Sequence, residues 1–220
     1  MGEIETSSVG KITASFTHEF MNVLATIQQT SGLVEDLITM SLPKDFQHRE
    51  KFIRSCSIIT EQVRRGMEMS DRLNTFSHSM EVSEARIDLN EILDQSVFLM
   101  RRSARLKHVS LAVTPGEPPL AVTTDPFRLQ LLIIACLEYL LSSADAEETI
   151  TLQSREKGPG VSIQILRETA SGTEIEPGTL PDELSQYLEI LQNLGAGLGR
   201  IASGGRSGLE LTLFSAEGSG

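Results

Sequence analysis

The chain reads as an α+β protein: a long helical hairpin that pairs with a second copy into a dimeric four-helix bundle, followed by an α/β layer with helices on one face of a mixed sheet. Three observations predict this. Two stretches of about thirty residues each carry apolar residues at helical spacing, with a single proline-bearing turn between them. Beyond Glu81–Ala85 the pattern changes to short alternating strands and capped helices. At 220 residues the chain is long enough for two small domains.

The first helix is predicted from about Val9 to Leu42, where Pro43 in "SLPKD" disfavours helix at the residue before it. The second runs from about Phe46 to His78. At 1.5 Å per residue these are arms of roughly 45–50 Å. One antiparallel pair of that length leaves an apolar stripe uncovered, and a second copy covers it. With Phe20 as the reference on a helical wheel, Leu24, Ile27, Val34 and Ile38 fall within roughly 40°, and Ser31 shares their column. That stripe is the expected core face. Gly32 interrupts the helix at a cost of about 1 kcal/mol, for which close helix packing is the only reason the sequence offers.

The second half follows in order. "RIDLNEIL" opens a helix to about Leu106, with Asp88 or Asn90 as cap and Glu91 in the first turn. "HVSLAV" alternates as a strand, and "PGEPP" is a turn. "DPFRLQLLIIACLEYLLSS" is a buried helix with an Asp cap and Pro behind it. "ETITLQSR" and "GVSIQILRE" are strands joined by the hairpin loop "EKGPG", and "ETASGTEIEPGTLPD" is a loop. "DELSQYLEILQNLG" is a helix closed by Gly195, and "GLELTLFS" is a last strand. The domains are therefore drawn at residues 1–82 and 83–220.

Charge and composition narrow the function. A formal charge of -11 argues against nucleic acid, whose affinity rests on Lys and Arg facing phosphates, and against an anionic membrane surface. The strongly apolar run "LQLLIIACLEYLL" carries a Glu and falls short of the ~20 residues a span needs. "MGEIETSSVG" lacks the basic start and apolar core of a secretory signal, and its Met-Gly start reads as chance rather than myristoylation. Cys56 and Cys136 sit in apolar helical patterns, as buried free thiols in a reducing cytoplasm do.

The candidate chemistry is in "ASFTHEFMNVLATI". On the wheel His18 lies about 160° from Phe20, so it faces solvent, with Asn22 one turn on. Ala14, Met21, Ala25 and Gln29 flank them, a flat uncharged surface suited to docking another protein. An exposed His on a long helix is often merely solvated. Three features here favour chemistry. Glu19 adjoins the ring and can hold or deprotonate one nitrogen. Asn22 at i+4 can orient a water or a phosphoryl oxygen. A free imidazole with a pKa near 6.5 is substantially neutral at pH 7, hence a nucleophile. A zinc protease needs H-E-x-x-H; the last position here is Asn22, so no metal site is expected.

"FTHEFMNVLATI" resembles the phosphoacceptor box of sensor histidine kinases, in its "HExxNPLaaI" form. His18 matches the phosphorylated His, Glu19 the acidic neighbour taken as general base, and Asn22 the polar position used in dephosphorylating a partner. Leu24 and Ile27 match the core, and Val23 replaces the usual Pro. "IDLNEILDQSVFLMRRSARLKHVSLAV" and "TDPFRLQLLIIACLEYLL" resemble the entry and the first helix of that family's ATP-binding domain. The nucleotide boxes depart from the pattern. Tyr139 stands at the magnesium- and phosphate-binding Asn, and Ala135 at the Asn before it. After "VSIQIL" comes "RETASG" in place of Asp-x-Gly-x-Gly. "EKGPGV" lies between two strands and reads as a hairpin turn; "GAGLG" follows a helix and reads as its stop.

The combination resembles the histidine phosphotransferases built as degenerate kinases, the ChpT-like group. That resemblance implies a bacterial, cytoplasmic, homodimeric protein of a two-component phosphorelay. His18 would pass phosphoryl groups between receiver domains without binding ATP or any cofactor, and magnesium would sit only on the receiver. Two alternatives stay open: a pseudokinase module that sequesters a receiver, and a divergent kinase or phosphatase.

Overall fold

The computed structural model describes residues 2–40, 49–116, 118–168, 179–203 and 205–214. The turn around Pro43, most of the 168–182 loop and Glu117 in "PGEPP" lie outside the described residues. The chain forms two compact units: Val9–Thr75, and Met1–Ser8 together with Phe76–Gly220.

The first unit is the hairpin, made from most of α1 (Glu3–Met40) and α2 (Arg49–Ser79). On α1, Ile12, Phe16, Val23 and Thr30 are buried, and on α2 Ser55 and Met69 are. The steps of four and seven along α1 are those of a helix-pair seam. Gly66 of α2 faces this seam: a Cβ there would meet Val23 Cγ1 at 3.5 Å and Phe20 Cε2 at 3.7 Å.

Within one chain this seam covers only one side of the expected core face. Phe20, Leu24 and Ile38 are 38%, 44% and 55% exposed. The buried line is turned from them by roughly 70° about the helix axis. The physical reason is the width of the apolar arc. One flank of it closes the hairpin; the other flank stays open, and Ile27 and Val34 stand between them, half-buried. Close packing does not explain Gly32 either, because a Cβ there meets nothing within 4 Å. The first helix also begins earlier than Val9. Glu5 Oε2 accepts from the Gly2 amide at 2.6 Å, and Thr6 N makes the first helical bond to Gly2 O at 3.0 Å, so the helix starts at Glu3.

The second unit carries a five-stranded mixed sheet in the order β2-β4-β5-β7-β6, and a separate pair β1-β3. β1 is Ala85–Asp88, β2 Ser110–Thr114, β3 Ala121–Thr124, β4 Thr149–Lys157, β5 Gly160–Glu168, β6 Ala196–Ser203 and β7 Arg206–Phe214. β2 runs parallel to β4, and the remaining neighbours in the sheet are antiparallel. The inner face alternates as a half-buried sheet must. Leu152 pairs with Ile165, Ile165 with Leu209, and Ile163 with Leu211, all of them buried. α3 (Leu89–Leu106) packs on β2 and β4, and α4 (Pro126–Ser142) packs beside it. α3 is capped by the Asp88 side chain, which accepts from Asn90 N at 2.7 Å; α4 is capped by Asp125, which accepts from Arg128 N at 2.9 Å. α4 is buried around nearly its whole circumference, as its largely apolar sequence requires.

The hairpin expected at "EKGPG" is present: β4 turns into β5 through Gly158, whose φ of 57° only glycine adopts freely. Three strands were not legible in the sequence. β1 and β3 are four residues each, too short to show a period. β6 falls on "GAGLG". Gly195, at φ 58°, does stop the preceding helix, but Ala196–Ser203 then pairs with β7 along its length. The helix expected over 182–195 is a 3-10 turn at Asp182–Tyr187 followed by the short α5, Leu188–Asn193.

Candidate functional site

His18 lies on the part of α1 that belongs to the hairpin and is exposed. Asn22, one turn on, sets its Nδ2 3.4 Å from His18 Nδ1. The ring is thereby held at Nδ1, and Nε2 is the nitrogen left for a partner. An amide nitrogen on Nδ1 leaves the ring proton on Nε2. The flipped amide, which costs little, presents Oδ1 instead and holds the proton on Nδ1, freeing the Nε2 lone pair. Thr26 Oγ1 donates to Asn22 O at 2.9 Å and Thr17 Oγ1 to Thr13 O at 2.9 Å, so the neighbouring hydroxyls are spent on the helix backbone.

Ala14, Met21, Ala25 and Gln29 are all exposed, and at 100° per residue they lie within about 60° of His18. Met21 is 59% exposed, the largest apolar group on this surface. The structure thus brings His18, Asn22 and these four residues to one side of the hairpin.

Glu19 takes a different place from the one its sequence neighbour suggested. It falls in the seam, three residues after Phe16 and four before Val23, and its side chain is 12% exposed. From α2, Arg65 Nη2 donates to Glu19 Oε1 at 2.8 Å. Arg65 was not singled out in the sequence. The available signal was the seam itself: a carboxylate at a buried step demands a cation across the hairpin.

In the second unit, the residues that the sequence resemblance sets against the nucleotide boxes have defined surroundings. Ala135 is buried at 4%. Tyr139 Oη accepts from Arg200 Nη2 of β6 at 3.2 Å. Arg167 Nη1 donates to the Ser143 carbonyl at 2.6 Å, with Glu148 at 3.7 Å. Residues 169–178, where the sequence carries "TASGTEIEPG", lie outside the described residues. Among the described residues no cluster of three His, Cys, Asp or Glu could hold a metal ion, and no helix is long and apolar enough to cross a membrane.

No family model matches the chain. In sequence it is similar to the sensor histidine kinase ZraS of Salmonella typhi, 22% identical over 192 residues. The chain is histidine-kinase-like in sequence. The likeness takes in 87% of this chain but 39% of the kinase, so the chain spans about two fifths of the relative it matches. Among solved structures, the histidine kinase AdeS of Acinetobacter baumannii is 14% identical, with 91% of this chain and 98% of that one covered and a TM-score of 0.47. A histidine kinase from Burkholderia phymatum is 13% identical, with 88% and 99% covered and a TM-score of 0.47. The histidine kinase ThkA, in a complex with the response regulator TrrA, is 14% identical, with 94% and 62% covered and a TM-score of 0.48.

Proposed function

We propose that this chain is a histidine phosphotransfer protein of a two-component relay, taking a phosphoryl group from the aspartyl phosphate of one receiver domain on His18 and passing it to another without ATP. The observation that carries the reading is the exposed His18 ring, held at Nδ1 by Asn22 and ringed by uncharged side chains. The likeness in sequence to a sensor histidine kinase supports the same class of chemistry.

In this reading Nε2 attacks phosphorus, the P–O bond to the receiver aspartate breaks, and the electron pair returns to that carboxylate. The ring proton leaves from Nδ1, and in this reading Glu19 receives it through water. Asn22 fixes the ring and can aim a water for dephosphorylation. Positioning and charge neutralisation supply most of the rate. The receiver supplies magnesium and its acidic pocket; this chain supplies the nucleophile and, at Ala14, Met21, Ala25 and Gln29, the docking surface. The proposed homodimer covers the open flank of Phe20, Leu24 and Ile38. The absence of ATP chemistry is supported by Ala135 and Tyr139 at the two Asn positions, with the Tyr139 hydroxyl engaged by Arg200.

The deciding experiment mixes the protein with a phosphorylated receiver. Acid-labile label should appear on the chain and disappear in His18→Ala. Receiver binding without label would leave a sequestering module instead. The likeness to a sensor kinase favours one second reading, an ATP-dependent kinase; label taken from ATP alone and lost in His18→Ala would establish it.

A further inference from the structure

Glu19 and Arg65 form a charge pair whose placement beside His18 has a chemical consequence. Glu19 occupies a seam position between Phe16 and Val23, where an unpartnered carboxylate is costly. Arg65 answers it from the other helix at 2.8 Å. The pair is half-buried, with Arg65 39% and Glu19 12% exposed, so it is screened less than a surface pair. His18 is the next residue in the chain.

A phosphoryl group on His18 adds about two negative charges beside that carboxylate. Like charges on adjacent residues oppose one another, and the cost falls on the phosphorylated state. A guanidinium remains charged at every working pH, and its planar fork holds a carboxylate in a fixed orientation. We propose that Arg65 is a positioning and charge-balancing residue of the His18 site: it fixes the Glu19 carboxylate in the hairpin seam and offsets its charge so that His18 can carry phosphate. The proposal rests on the reading of His18 as a phosphoryl acceptor. It adds a residue from the second helix to a site otherwise built on the first.

The test uses potassium phosphoramidate, a small donor that needs no receiver. Its P–N bond breaks, ammonia leaves, a new P–N bond forms at the imidazole, and the ring proton departs. Yield on His18 is read by intact mass and phosphorus NMR, with circular dichroism confirming the helices of each variant. Arg65→Gln should lower the yield about three- to fivefold, the upper part of the range for a partly exposed charge pair. Arg65→Lys should keep most of it. Raising the salt concentration should restore part of the Arg65→Gln loss, because ions then screen the uncovered carboxylate. Arg65→Gln made on top of Glu19→Gln should change the yield less than about twofold, since no charge remains to balance. A merely structural Arg65 gives no recovery with salt. Yield unchanged in Arg65→Gln, or a loss that persists undiminished in the Glu19→Gln background, overturns the proposal. If Arg65→Gln does not fold, the salt dependence of Arg65→Lys and the double variant decide in the same way. Normal phosphoramidate labelling with no transfer from any receiver would defeat the relay reading and leave the Arg65 result standing. No labelling of the wild-type His18 defeats both.

Discussion

Tyr139 Oη and Arg200 Nη2 stand 3.2 Å apart and tie α4 to β6. The phenol thus spends its acceptor on a neighbouring strand, at the position that the sequence resemblance sets against the kinase family's Asn. Arg200 is also tied down by its own backbone, whose amide donates to Thr179 O at 3.2 Å.

The first prediction concerns nucleotide. Titration calorimetry of the chain with magnesium-ATP should show no micromolar binding. Tyr139→Phe removes the bond to Arg200 and should cost about 0.5–1.5 kcal/mol in urea unfolding, again without creating an ATP site. A micromolar heat of binding to the wild-type chain would end the relay-without-ATP reading.

The second concerns the open flank of the hairpin. Phe20, Leu24 and Ile38 on α1 and Ile53, Val63 and Met67 on α2 are large apolar groups left 38% exposed or more. Leu24→Glu places a charge within that flank and should turn the proposed dimer into a monomer in sedimentation equilibrium, with the helical signal kept. A wild-type chain that sediments as a monomer at tens of micromolar would remove the dimer from the account.

The third concerns Gly32. It lies inside α1, and a Cβ there meets nothing within 4 Å. Gly32→Ala should therefore raise stability by about 0.5–1 kcal/mol through backbone entropy alone, seen as a higher melting temperature. Destabilisation would show that something outside a single chain approaches this position.

The fourth separates the two thiols. Cys136 is fully buried in α4, and burial pushes its pKa up to about 12 from an ordinary 9.0. At pH 8 a thiol reagent should label half-buried Cys56 and reach Cys136 only after unfolding. The sign of the pH effect follows. The unfolded thiol ionises near 9.0 and the folded one near 12, so ionisation favours the unfolded chain. The contribution of Cys136 is complete below pH 9 and is lost as pH rises toward 12. Cys136→Ala should flatten that alkaline loss; an unchanged alkaline slope would assign it to other groups.

Much of this protein is legible in its sequence. The Asp88 and Asp125 caps, the hairpin at Gly158, the solvent side of His18 and the company of Asn22 all follow from local chemistry and a 100° turn per residue. Such features involve residues within one turn of each other, and sequence spacing alone places them. Tertiary structure decided what spacing leaves open. Which flank of a wide apolar arc closes the hairpin depends on the second helix, so the seam runs through Phe16 and Val23 rather than Phe20 and Leu24. The same rotation draws Glu19 toward Arg65. β6 likewise needs β7 to exist, because a glycine-rich run has too little side-chain pattern to declare itself a strand until a neighbour supplies its hydrogen bonds.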